Sequence, residues 1–287
     1  MEARAKINLT LEVFDKRADG FHDLRSLVVP ISLADEVTVR SANEVTLRVT
    51  EAVSGVADQI GPAANNLAVR AVQLMQRVSG RADGVAIDLV KRIPIGSGLG
   101  GGSADAAAVL HGLNALWRLR ISDEELARLS AELGSDVPAQ TLGGLTLMEG
   151  RGERVTRERT PGSVLHLVLA FPGEFVSTAK VYANVIPQLT NGGEIVDNMR
   201  HALSGGDAMA VAEALYNGLS PAAEALCPAI ARARAALRAA GALGVSMSGS
   251  GSCVFGLARD AADAQRVAKN LVGTGLMVLP VHTCPVM

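Results

Sequence analysis

The chain has 287 residues, 48% of them hydrophobic and 20% charged, and its formal net charge is −2. That balance lacks the basic excess of a protein built to bind nucleic acid or a membrane surface. Aromatic residues are only 3%, too few for a platform that stacks single-stranded bases, and the length is generous for one domain and comfortable for two.

In chain order, residues 5–14, "AKINLTLEVF", alternate: Ile7, Leu9, Leu11 and Val13 point one way, and Lys6, Asn8, Thr10 and Glu12 the other. The pattern predicts a half-buried strand with Lys6 on its solvated face. "LRSLVVPISL", "DEVTVR" and "VTLRVT" read as further strands, the first interrupted by Pro30. "NNLAVRAVQLMQRV" reads as an amphipathic helix starting at Asn65 or Asn66, and "GVAIDLVKRIP" as a strand stopping at Pro94. A glycine run follows, then the alanine-rich helix "SADAAAVLHGLNALWRL". "SDEELARLSAEL" opens a second helix, with Ser122 and Glu125 in capping-box spacing.

"GSDVPAQTLGG" reads as a loop and "LTLME" as a return strand. The polar stretch 150–162, "GRGERVTRERTPG", is a domain boundary or a hairpin within one sheet. The expected division is 1–150 and 151–287. Beyond it come a strand "VLHLVLAF", helices over 177–187, 194–217 and 221–241, and a closing strand, glycine loop, strand, helix, strand from residue 244. Mixed elements in both halves predict an α+β fold rather than a doubly wound sheet. Cys227, Cys253 and Cys284 are widely spaced with no metal-ligand pattern, so free thiols in a reducing cytoplasm are expected. The charged, alternating N-terminus is unlike a signal peptide, and no apolar run reaches the roughly 18 residues of a membrane helix.

Residues 96–102 hold five glycines in seven positions. Glycine loses the most backbone freedom on folding, so such a run needs a reason. Placed between a strand and a helix N-terminus, it exposes unpaired N–H groups to a ligand, and phosphate fits best. A flexible linker would not end in a helix. The P-loop requires a lysine after the glycines, and none follows. The dinucleotide fingerprint fits Gly96, Gly98 and Gly101, which keeps a nicotinamide oxidoreductase as an alternative. The preceding strand, however, carries Asp88 and ends in Lys91-Arg92, and no second strand follows for about 40 residues.

"PIGSGLGGGSA" at 94–104 closely resembles the phosphate loop of the GHMP kinases, a family named for galactokinase, homoserine kinase, mevalonate kinase and phosphomevalonate kinase. "AKINLTL", "KRADGFHDLRS", "GSDVPAQTLGG" and "SMSGSGSCVFG" are similar to further motifs of one branch, in the same order from residue 5 to 256. The resemblance implies an N-terminal domain like the second domain of ribosomal protein S5 and a ferredoxin-like C-terminal domain. It implies transfer of the γ-phosphate of ATP, with magnesium, to the 2-hydroxyl of a cytidine diphosphate alcohol on the non-mevalonate route to isoprenoid precursors. A mevalonate-type kinase is the nearest alternative. A ligand sensor that had lost catalysis would be expected to have lost its proton acceptor or loop glycines, and both are present.

Carried over residue by residue, the resemblance makes Asp136 the catalytic aspartate and Lys6 its partner; a neighbouring cation favours a charged carboxylate. ATP falls to Pro94, Ile95, Gly96, Ser97, Gly98, Leu99, Gly100, Gly101, Gly102, Ser103 and Ala104, with Asn66 and Lys91 on the adenine side. Asn66 and Lys91 read equally well as solvated surface. Ser103 is expected beside the phosphates and is also a candidate helix cap. Gly101→Val is expected to intrude on the phosphates. The cytidine group falls to Asn8, Phe21, His22 and Tyr182, and substrate phosphate to Gly249 and Gly251. Phe21 stands where the family often has tyrosine, which keeps stacking and removes a hydroxyl. No side chain is assigned as a metal ligand, and neither nucleic acid nor membrane is expected as a partner.

Overall fold

The computed structural model describes residues 1–51, 65–159, 162–186 and 194–284. Strand β1 (Glu2–Lys16) pairs antiparallel with β2 (His22–Ala42), a single strand of 21 residues. The strand expected to be interrupted at Pro30 is therefore unbroken, and it runs on through "DEVTVR", expected as a separate strand. On its other edge β2 pairs β5 (Thr146–Gly150) through residues 24–28 and β4 (Gly84–Lys91) through residues 36–42. Pro30 falls in the gap between these partners, where its missing N–H leaves no ladder bond unmade. With β3 (Thr46–Glu51), β6 (Arg154–Arg157) and β8 (Tyr216–Asn217), these strands form a seven-stranded sheet.

The polar stretch after residue 150 begins as the β5–β6 hairpin. The expected division at residue 150 thus falls inside a hairpin; residues 160 and 161 of that stretch lie outside the described residues. The second sheet, in the order β11-β7-β10-β9, comprises β7 (His166–Phe171), β9 (Gly244–Met247), β10 (Val254–Ala258) and β11 (Met277–His282). Ile7 and Leu9 of the first sheet share one buried cluster with Leu167, Leu169 and Phe255 of the second.

Asn66 caps helix α1 (Leu67–Ser79) by accepting from the Ala68 N–H. Helix α2 (Gly101–Leu116) begins at Gly100, whose φ of 71° is left-handed, so the N-cap is a glycine and not Ser103. Small buried residues, Ala104, Ala106, Ala107 and Ala108, let α2 lie close to its neighbours. Ser122 caps α3 (Asp123–Ser130) as its spacing predicts. "GSDVPAQTLGG" is not all loop: Val137–Leu142 form helix α4, started by Pro138, with Asp136 at the N-cap.

Later, α5 spans Thr178–Ala183, shorter than expected; residue 187 at the end of that expectation lies outside the described residues. The expected helix 194–217 is α6 (Glu194–Gly205) and α7 (Ala208–Ala214), broken at the left-handed Gly206, with Asp207 capping the restart. The expected helix 221–241 is α8 (Ser220–Leu226) and α9 (Pro228–Ala239). Cys227, extended before Pro228, separates them. Helix α10 (Ala261–Asn270) joins β10 to β11. The three cysteines are free. Among the described residues no helix is long and apolar enough to cross a membrane.

The alternation of β1 holds, but its polar face is not solvated: Lys6, Asn8, Thr10 and Glu12 are all buried. The glycine run and the β9–β10 loop cover part of it. The Lys6 N–H donates to Leu99 O at 2.9 Å, the Ser248 hydroxyl donates to Gly98 O at 3.0 Å, and the Cys253 N–H donates to Ser97 O at 3.0 Å. At Gly98 φ is 80°, and an added Cβ would stand 2.1 Å from Ser248 O. Gly98→Ala is expected to lower the unfolding free energy by more than about 3 kcal/mol in urea titrations. A loss below about 1 kcal/mol would mean the two loops are not locked together there.

Candidate active site

Two cavities open along the glycine run. The smaller, about 370 Å³, lies between the run and α1. Leu67, Leu89 and Ile93 give it apolar walls, and Asn66, Lys91 and the first turn of α2 complete it. The larger, about 690 Å³, lies between β1, β2 and the segments 176–183 and 249–251. Gly96, Gly98 and Ser103 line both, so the cavities meet over the loop. The first N–H groups of α2 have no partners within the helix, an arrangement that suits an anion.

The glycines differ in what they make room for. A Cβ at Gly101 would meet Ile93 Cγ2 at 3.0 Å and lie 3.6 Å from Asp35 Oδ2, inside the protein. Gly101→Val therefore tests packing, contrary to the expectation that it would intrude on phosphate. A Cβ at Gly102 would have Leu67 Cδ1 at 3.7 Å as its nearest neighbour and would enter the smaller cavity. Leu99 and Ala104, expected at the nucleotide, line neither cavity. Both are buried, Leu99 anchoring the loop in the core and Ala104 packing α2.

Lys6, Asn8, Phe21, His22, Asp136, Tyr182, Gly249 and Gly251 all line the larger cavity. Lys6 Nζ lies 3.5 Å from Asp136 Oδ2; the lysine side chain is 5% exposed and the aspartate 36%. Asp136 makes no capping bond to α4, so its carboxylate is free toward the cleft. Asn8 holds the ammonium in place: its Oδ1 accepts from Lys6 Nζ at 2.7 Å and from the Gly249 N–H at 2.8 Å, and its Nδ2 donates to Ser26 Oγ at 2.8 Å. That leaves Asn8 one free amide hydrogen, so its main task is positioning rather than reading a base.

His22 Nδ1 lies 2.9 Å from Phe14 O. A carbonyl only accepts, so Nδ1 carries the hydrogen and Nε2 remains an acceptor when the ring is neutral. The His22 and Tyr182 rings lie 6.0 Å apart. Burial, and secondly the charge of Asp136, push the Tyr182 hydroxyl up from its ordinary value and keep it neutral. Phe21 is half exposed, with the Arg151 guanidinium 5.4 Å from its ring centre.

Three features were not anticipated. Arg151 and Lys16 bring cations to the larger cavity; Arg151 was hidden in a stretch that read as a boundary. Lys91 is neither solvated nor free: its ammonium is buried between Asp35 and Asp105. Asp105 was detectable as the one acid in an otherwise apolar stretch of α2.

The chain belongs to the GHMP kinase family, ATP-dependent kinases of small molecules: residues 66–144 match the GHMP kinases N terminal domain and residues 199–275 the GHMP kinases C terminal. Within that family the similarity is narrower. A protein of Pelotomaculum thermopropionicum named 4-diphosphocytidyl-2-C-methyl-D-erythritol kinase is 41% identical over 283 residues, covering 98% of this chain and 96% of its own. A Mycolicibacterium gilvum protein of the same name is 42% identical, covering 94% and 85%. A crystal structure of 4-(cytidine 5'-diphospho)-2C-methyl-D-erythritol kinase matches with a TM-score of 0.82 at 36% identity, covering 99% of this chain and 98% of its own.

Gly102 offers a test in which stability and binding move in opposite directions. Alanine in a helix is favoured over glycine by up to about 1 kcal/mol. Gly102→Ala is expected to hold or raise the melting temperature while weakening ATP binding at least about tenfold, or about 1.4 kcal/mol. Unchanged ATP affinity in a calorimetric titration would move the phosphates away from this turn.

Proposed function

We propose that this chain transfers the γ-phosphate of ATP to the 2-hydroxyl of 4-diphosphocytidyl-2-C-methyl-D-erythritol. The observation that carries the reading is the meeting of two cavities over one glycine run, with the Lys6–Asp136 pair on the acceptor side. ATP enters the smaller cavity, its base against Leu67 and Leu89 and its phosphates on the amides of the first turn of α2. The acceptor enters the larger one. Its cytosine lies between Phe21 and Tyr182, and His22 Nε2 accepts from the exocyclic amine, which a uracil lacks. Arg151 and Lys16 bring positive charge toward the diphosphate.

Asp136 takes the proton of the acceptor hydroxyl, and Lys6 steadies the attacking oxygen. The transition state is loose, so positioning and charge do most of the work. Magnesium, when bound, neutralises charge on the transferring phosphates. Among the described residues no group of three His, Cys, Asp or Glu stands together to hold a metal. A mevalonate-type acceptor would leave the Phe21, His22 and Tyr182 cluster without a ligand. A charged, water-soluble acceptor suits a cytoplasmic enzyme.

Asp136→Asn is expected to stay folded and bind ATP, while kcat falls about 10²–10⁴-fold for loss of a proton acceptor. Retention of more than about a tenth of kcat would leave Asp136 a positioning role only. Phe21→Ala is expected to raise KM for the cytidine substrate roughly 5- to 150-fold, the worth of one stacked base, with little change for ATP. Equal losses for both ligands would make Phe21 a support of the fold, and no loss for either would place the cytidine elsewhere.

A further inference from the structure

Lys91 from β4, Asp35 from β2 and Asp105 from α2 meet beneath the smaller cavity, with side chains 5%, 0% and 5% exposed. Two carboxylates share one ammonium, which leaves a formal charge of −1 in an almost fully buried site. Such a charge is unfavourable unless neutralised. The other elements against α2 send their charges elsewhere. From α1, Arg70 bonds the carbonyls of Glu132 and Leu133, and Arg77 pairs with Glu132. From β1, Arg4 pairs with Glu2, and Lys6 with Asp136. From α3, Asp123 and Glu124 face Arg157, and Glu125 faces Arg128. Helix α4 carries no charged residue.

The two carboxylates are not equivalent. Asp35 accepts from three donors, Lys91 Nζ and the N–H groups of Arg92 and Ile93. Asp105 accepts from Lys91 alone, at 2.5 Å, and its Oδ1 is buried without a partner. Both carboxylates touch the same Lys91 Nζ, so a proton on Asp105 sits beside the Asp35 carboxylate. Lys91 and Asp105 both line the cavity beside the glycine run.

We infer that binding of a nucleoside polyphosphate to this cavity is coupled to uptake of one proton by the Asp35–Lys91–Asp105 cluster, carried on Asp105. The inference rests on the nucleotide reading of the smaller cavity. Proton uptake turns the cluster from −1 to neutral beside an arriving polyanion. Burial, and after it the charge of Asp35, push the Asp105 carboxyl up to about 7 against the pull of Lys91. The two carboxylates outweigh burial at Lys91 and hold its ammonium above the ordinary lysine value. The sign follows: below about pH 7 the cluster is already neutral, and above it nucleotide must bring a proton in. Affinity therefore falls as pH rises, by up to about tenfold for each unit by which the nucleotide raises the Asp105 pKa.

The probe is ADP with magnesium, titrated calorimetrically at about pH 7.5 in buffers of differing ionisation enthalpy. The parent is expected to take up measurably more proton per ADP than Asp105→Asn, whose amide keeps a hydrogen bond to Lys91 without titrating. Equal uptake in the two overturns the inference. Carbon-13 spectra of aspartate-labelled free protein give an independent reading. One carboxyl, absent in Asp105→Asn, is expected to titrate near neutrality and to move upward with ADP. An unmoved midpoint, or no aspartate titrating above about pH 6, overturns it even if the Asn variant fails to fold. If ADP does not bind at all, the nucleotide reading falls and the coupling with it, while the titration of the free chain still reports the buried proton.

Discussion

Everything at the site depends on one backbone-to-backbone approach. The β9–β10 loop presses on the glycine run so closely that no Cβ fits at Gly98. Three hydrogen bonds link the run to its surroundings, from Lys6 on β1 and from Ser248 and Cys253 in the loop that joins β9 to β10 of the second sheet. Because the run is held from both sheets, its position is fixed by the core they share, not by the loop's own weak preferences. That fixes the first turn of α2 relative to Lys6 and Asp136. It also makes the two cavities share a wall, which is the geometry an in-line transfer between two bound molecules requires.

The same approach resolves an apparent conflict on β1. Burying an ammonium is strongly unfavourable without partners. Lys6 is buried, yet it has Asn8 Oδ1 at 2.7 Å and Asp136 at 3.5 Å. Asn8 is in turn tied to Gly249 and Ser26. The chain from Ser26 through Asn8 to Lys6 crosses from β2 to β1 and ends at the Asp136 carboxylate, at the N-cap of α4. The Gly249 bond brings the second sheet's loop into the same network. A polar strand face that would ordinarily meet water here meets other polar groups, and few of them have freedom left.

Much of this was legible in the sequence, and what was not has identifiable causes. The strand periods, the helix start near Asn65 or Asn66, the Ser122 cap and the glycine-bounded helix α2 are local signals, and they held. The solvated face assigned to Lys6 failed because alternation reveals two faces but not what covers them; the cover comes from about 95 and 240 residues away, beyond any local window. Pro30 read as a break because the gap between β4 and β5 on one edge of β2 is a tertiary fact. The divided helices at Gly206 and Pro228 carried their breakers in plain view. The helix after Asp136 was masked by its flanking glycines. At the site, the residues named by motif resemblance line one or other cavity, apart from two. The resemblance included Leu99 and Ala104 because a motif does not say which of its residues point inward.

Two lysines illustrate how environment divides labour between similar groups. Lys6 and Lys91 have equally buried side chains, both on strands beside the glycine run. Lys6 faces one carboxylate that is about a third exposed and makes no internal capping bond. Its pair thus retains oxygen atoms for a ligand and can take part in chemistry. Lys91 faces two buried carboxylates, and one of these also accepts from the two N–H groups that lead from β4 toward the glycine run. Its cluster ties three elements together and presents almost nothing to solvent. A lysine beside an aspartate is therefore an ambiguous motif in sequence. The accessibility of the acid, not the presence of the pair, separates the group that can meet a substrate from the one that holds the loop in place.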